Sequence, residues 1–348
     1  MQKIRAFLKN KDVIFSPKRY FIDALGAMAQ GLFASLLIGT ILSTIGQQFK
    51  IETLVTVGTY AKNVQGIAMA IAIGNALKCP PLVLFSLSAV GLAANEIGGA
   101  GGAFAVLIIT IVASELGKLV SKETKLDILV TPIVTICSGI LLSMLIASHI
   151  GTAATALGKV IMWATELEPF WMGIIVSTTV GIALTLPISS AAICAGLSLT
   201  GLAGGAALAG CCAQMIGFAV MSFKENRWGG FFAQGIGTSM LQMGNIVRNP
   251  KIWIAPILTS AIMGPVATCL FGLEMNGPAV SSGMGTCGLV GQIGVYTGWI
   301  NDGVAIGPMH WVGLILISFV LPAVICWLLG LLSRKLGWIK DGDLKLDL

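Results

Sequence analysis

One short pattern, G-N-x-x-[K/R]-x-P, occurs twice in this chain, each time in an apolar setting and with the same neighbours in the same order. The first copy, Gly74-Asn75-Ala76-Leu77-Lys78-Cys79-Pro80, follows Gln65-Gly66-Ile67 and precedes Asn95-Glu96-Ile97-Gly98-Gly99. The second, Gly244-Asn245-Ile246-Val247-Arg248-Asn249-Pro250, follows Gln234-Gly235-Ile236 and precedes Glu274-Met275-Asn276-Gly277-Pro278. Glycine and leucine matches are cheap in so biased a composition, but this ordered set is hard to reach by chance. A repeat of this kind inside a hydrophobic chain constrains it to two related halves. Membrane transporters built this way place their site between the repeats.

Composition decides the solvent. The chain is 56% hydrophobic and 10% charged, against roughly 25% charged in soluble domains, and its mean hydropathy is +0.91. Several apolar runs reach the ~20 residues that span a hydrocarbon core, while others are too short to cross alone. We therefore expect an all-α polytopic membrane protein with about eight to ten crossings. The net charge of +6 is concentrated before the first span, at Lys3, Arg5, Lys9, Lys11, Lys18 and Arg19. That placement predicts a cytoplasmic N-terminus and contact with anionic headgroups, not nucleic-acid binding. The eight cysteines form no C-x-x-C and read as packing residues, with no metal site and no cofactor expected.

Along the chain, residues 1–19 read as a basic arm or interfacial helix and 20–150 as the first membrane repeat. Residues 151–168 read as an amphipathic linker, 169–335 as the second repeat and 336–348 as a polar tail. Two stretches fit neither span nor loop: the glycine-rich segment near 95–102 and the longer one near 274–294. Glycine at that density breaks helices, and irregular backbone survives at membrane depth only inside protein or beside a wet cavity. Two re-entrant hairpins meeting near mid-membrane are the expectation.

A carboxylate at the bilayer centre costs at least about 2.5–3.5 kcal/mol, so Glu96 and Glu274, at matching points of the repeat, are the leading candidates for holding a small polar solute. The competing role for each is to accept backbone N–H groups freed by the broken helix. Asn95, Asn276, Ser281 and Ser282 add neutral donors and acceptors, a set suited to sugar hydroxyls. Asn75 and Asn245 are candidates for solute contact or for pairing freed backbone. His310 is a site candidate or an interfacial residue, while His149, Lys78 and Arg248 fall near predicted span ends. Gly283-Met284-Gly285-Thr286-Cys287-Gly288 matches G-x-G-x-x-G only formally, since no strand precedes it. No catalytic constellation is present in the sequence.

The run from Pro81-Leu82-Val83-Leu84-Phe85 to Asn95-Glu96-Ile97-Gly98-Gly99-Ala100-Gly101-Gly102, together with Gly283-Met284-Gly285-Thr286 and Gly288-Leu289-Val290-Gly291-Gln292-Ile293-Gly294, resembles one family. It is similar to the compact EIIC-like membrane proteins of the bacterial sugar phosphotransferase system, which include proteins labelled perfringolysin O regulator-like. The resemblance implies a homodimeric permease with two repeats and two re-entrant hairpins that hold sugar through Glu96 and Glu274. It also implies a separate EIIB protein that phosphorylates the incoming sugar. No EIIA or EIIB region is fused to the sequence. A transport-inactive sensor or regulator, and an ion-coupled carrier or channel for another polar solute, are the alternative readings.

Overall fold

The computed structural model describes residues 7–346. Among them no strand forms, and one isolated bridge pairs Gly201 with Met275. The chain divides into two compact units, one of residues up to Ser43 with Glu52–Ala153, the other of Thr44–Ile51 with Ala154 onward. In chain order the first half supplies α1 (Arg19–Gln48), α2 (Glu52–Asn63), α3 (Gln65–Ala76), α4 (Pro81–Gly98), α5 (Gly102–Val120) and α6 (Asp127–Thr165). The second supplies α7 (Pro169–Thr185), α8 (Ser190–Gly196), α9 (Gly201–Met221), α10 (Phe223–Phe232), α11 (Met243–Arg248), α12 (Pro250–Leu270), α13 (Val290–Asn301) and α14 (Pro308–Lys335). Proline occupies the start of α4, α7, α12 and α14. There its missing N–H costs nothing and its fixed φ suits the first helical turn. Both copies of the G-N motif consequently end one helix near the basic residue and begin the next at or beside the proline.

In the first unit α3 packs on α4 where Gly66 meets Gly91; a Cβ on either would lie 2.4 or 2.3 Å from the other's carbonyl oxygen. Such close approach through small residues is how membrane helices pack without a hydrophobic driving force between them. α4 and α5 fold against each other across the short Gly99–Gly101 turn, with Gly99 at φ +51°. At 1.5 Å per residue these two arms run about 27 and 28 Å, each close to a hydrocarbon thickness. α6 continues unbroken from Asp127 to Thr165, so the stretch expected to be a separate amphipathic linker is the continuation of a span. The N-terminal arm lies against this unit: Val13 is buried, and the Arg19 guanidinium donates to the Asp12 carboxylate and to the Leu77 carbonyl.

The second unit is organised around α9, the most enclosed of the long apolar helices, buried along nearly its whole length. Its glycines let backbone touch backbone. A Cβ on Gly210 would lie 1.9 Å from the Ser177 carbonyl oxygen of α7, and one on Gly205 would lie 1.8 Å from that of Leu273. After α12 the chain loops through residues 271–278 beside the start of α9, then runs inward along it: Gly204 faces Ser282 and Cys211 faces Gly285. α13 returns the same way, with Gly291 against Leu208 and Gly298 against Asn276. The reversal is made by Gly285, Gly288 and Leu289, all with φ between +51° and +59°, a conformation that glycine adopts freely and leucine rarely.

The stretch read from sequence as a polar tail is fastened to this unit. Ile339 and Leu344 are buried, and the amides of Asn226, Gln242 and Asn245 donate to the carbonyls of Leu344 and Lys345 at 2.8–3.0 Å. Asn249 donates to the Trp338 carbonyl and to Asp343. Gln234 of the second Q-G-I supports this row by accepting from Gln242 at 2.8 Å.

Two outcomes follow for stability in detergent. Gly210→Ala lowers the melting temperature, at an overpacking cost of about 1–3 kcal/mol, whereas Gly26→Ala, with nothing within 4 Å of the added carbon, does not. Hydrogen bonding from Arg19, the main cause, holds the Asp12 carboxyl below its usual 3.8. Its contribution is therefore full above that value and fades as pH falls through the depressed folded value. Asp12→Asn destabilises at pH 7, and the difference between the melting curves shrinks in acid.

Candidate functional site

In the second unit, loop 271–278, the end of α13 and the start of α14 enclose a cavity of about 370 Å³. Sequence dictates the convergence: Gly272 turns the chain after α12 with φ +56°, Gly303 reverses it after α13 with φ +64°, and Pro308 opens α14. Glu274, Asn276, Trp299, Asp302 and His310 thereby share one cavity wall. Two backbone hydrogen bonds between Gly201 and Met275, at 3.1 and 3.0 Å, fix the loop to the start of α9.

Asn276 organises the polar groups. Its Nδ2 donates to Glu274 Oε2 at 3.0 Å and to Asp302 Oδ2 at 2.7 Å, while its Oδ1 accepts the Gly201 N–H at 2.9 Å. Both protons of one amide thus serve two carboxylates, a shared donor that keeps like charges in one place. His310 Nδ1 accepts the Gly307 N–H at 3.1 Å. In neutral imidazole the other nitrogen, Nε2, is then the donor. Trp299 stands edge-on to His310 with ring centroids 5.3 Å apart, and outside the cavity lining Trp311 packs on Trp299 and Tyr296 on Trp311. The cavity offers carboxylate acceptors, an imidazole donor and indole surface, and it sits where helices end, not half-way along them.

Of the residues expected from sequence, Glu274, Asn276 and His310 are brought together. Ser281 and Ser282 are buried deeper; the Ser282 hydroxyl donates to the Leu199 carbonyl at 2.6 Å, and neither serine lines the cavity. Asn245 is buried and bonded to Gln242 and to the tail, which is the backbone-pairing alternative. Asn75 is exposed at the end of α3. In the first unit Glu96 is exposed and Asn95 half-buried in the last turn of α4. Glu96 has no side-chain hydrogen bond among the described residues, and a helix C-terminus disfavours a carboxylate, so it does not cap the helix that follows. His149, Lys78 and Arg248 are exposed.

Two members of the cavity, Asp302 and Trp299, were not among the sequence candidates. Asp302 reads as part of a polar connection, yet it is the sole acid between Glu274 and Asp341, and that isolation in apolar surroundings was the available signal.

A family model described as "Phosphotransferase system, EIIC" matches residues 22–346. The chain belongs to that EIIC family. Comparisons with curated proteins and with solved structures gave no match. Six helical stretches among the described residues, with α4 and α5 together making one of them, are long and apolar enough to cross a bilayer, and two shorter apolar helices accompany them, so this EIIC chain is a multi-pass membrane protein of the sugar-permease class. The cavity sits at the ends of α12 and α13 and the start of α14.

Asn276→Asp, which keeps the shape but replaces two donors by a third carboxylate, lowers the melting temperature more than Asn276→Ala does; equal losses would mean that the amide fills space without holding the acids together.

Proposed function

We propose that this EIIC chain is a permease that holds a neutral sugar at the mouth formed by Glu274, Asn276, Trp299, Asp302 and His310. One observation supports the reading above others: a single cavity combines two carboxylates tied to one amide, a donating imidazole nitrogen and indole surface. Each sugar hydroxyl both donates and accepts, and its C–H faces pack on aromatic rings. A volume of about 370 Å³ lies near the small end of the ~300–1,000 Å³ typical of ligand pockets and suits a small sugar. A phosphate ester would meet two carboxylates, so the unphosphorylated sugar fits the site and its phosphorylated form is repelled.

The segment 278–289 is, on this reading, a re-entrant hairpin equivalent in origin to the 95–102 turn, and it is the element whose movement along α9 opens the cavity to one side and then the other. Glu96 and Asn95 are kept as a separate cargo contact on the first unit. The cytoplasmic N-terminus and the homodimer belong to the same proposal, as does a separate EIIB protein that phosphorylates the sugar.

The decisive measurement is ligand-induced thermal stabilisation of the purified protein against a panel of neutral sugars and their phosphates. Glu274→Gln and Asp302→Asn each weaken sugar binding by about 10- to 100-fold, as loss of a hydrogen bond to a charged group does, while the Asn75→Ala protein keeps it. Wild-type stabilisation in both acid variants would remove this cavity from the transport route.

A further inference from the structure

In the first unit, where α3 and α5 end and α4 begins, four lysines line one cavity of about 240 Å³: Lys11, Lys78, Lys118 and Lys122, together with Asp12 and Ser121. We propose that this cavity is a binding site for a phosphate group, supplied either by a free phosphate compound or by an anionic lipid headgroup.

Three observations carry the assignment. The first is how the cations are used. Lys118, 1% exposed, spends its donors inside the protein, on Glu115 at 2.9 Å, the Asp12 carbonyl at 2.9 Å and the Leu77 carbonyl at 3.2 Å. Lys11 is bonded to the Ser121 carbonyl and paired with Glu123, and Arg19 takes the Leu77 carbonyl and Asp12. The carbonyl ends of α3 and α5, which would repel an anion, are thus already covered by cations. Lys78 and Lys122 are left exposed and have no side-chain partner among the described residues. They are the two ammonium groups free to meet an oxyanion.

The second observation is how the chain gathers these residues. Asp12, Lys78 and Lys122 have φ of +54°, +56° and +62°, the left-handed conformation in which a chain commonly leaves a helix, and all three line this one cavity. The third is the start of α4. Pro80, the residue that precedes this 18-residue helix, lines the cavity beside Lys78, and the N-terminal end of a helix favours an anion close to it.

The site is far in sequence and chemistry from the Glu274 cavity and does not depend on that reading. It is tested on delipidated, detergent-purified protein with two arms. In one, inorganic phosphate is titrated against chloride at equal ionic strength and the melting temperature is followed. In the other, native mass spectrometry compares retention of phosphatidylglycerol with phosphatidylcholine. Lys78→Gln/Lys122→Gln is the test variant, and Lys125→Gln, an exposed lysine outside the cavity, is the control. A phosphate-specific stabilisation that weakens by about tenfold or more in the double variant, and not in the control, assigns a free-phosphate site. Retention of phosphatidylglycerol that is lost only in the double variant assigns a headgroup site. Responses that are absent, or the same in wild type and double variant, or lost equally in the control, overturn the proposal.

Discussion

Close backbone contact along α9 is the constraint on which the second unit rests. Gly205 and Gly210 allow carbonyl oxygens of Leu273 and Ser177 to sit where any Cβ would be, and only that proximity admits a non-helical segment beside an apolar helix. Irregular backbone in such surroundings carries carbonyls with no helical partner, each costing about 1–3 kcal/mol if left unpaired. Side-chain hydroxyls take up several. Ser282 donates to Leu199, Ser190 to Gly283 at 2.7 Å, and Thr286 to Gly235 of the second Q-G-I. The polar residues of this stretch thus divide by depth, with hydroxyls satisfying backbone within and carboxylates, amide and imidazole gathered at the mouth.

Much of the architecture was legible from sequence because composition fixes the solvent and proline and glycine fix the punctuation. The break near Gly99 was expected from its glycines, and the structure shows Pro81, Pro169, Pro250 and Pro308 opening helices where a missing N–H costs nothing. Unlike these, the contrast between the two glycine-rich stretches is a matter of length. After Glu96 only a few residues separate one apolar helix from the next, enough for a tight turn. After Glu274 more than a dozen precede α13, enough to run down α9 and back. The pattern of the motif is shared, and the room that follows it is not.

The cavity was half legible. Glu274, Asn276 and His310 stand out as polar residues in apolar sequence, although the fold leaves Glu274, like Asp302, exposed where helices end. Asp302 and Trp299 reach the same place through the return of α13, a tertiary path no local pattern encodes. Ser282 and Asn245 show the converse: their polarity marked them, but each is consumed by the backbone it supports. Residue type signals that a polar group is needed, and only the fold says whether cargo or carbonyl needs it.

Asn226, Gln242 and Asn245 grip the C-terminal strap by its peptide oxygens and not by its side chains. A clasp of that kind is indifferent to the letters it holds. Apart from Ile339 and Leu344, which are buried, and Asp341 and Asp343, whose carboxylates meet Lys224, Arg334 and Asn249, the strap's residues can drift without loosening it. An inserted or deleted residue there, by shifting every oxygen out of step with its amide, cannot be accommodated in the same way. The spacing of this ending, more than its wording, is what the second unit requires.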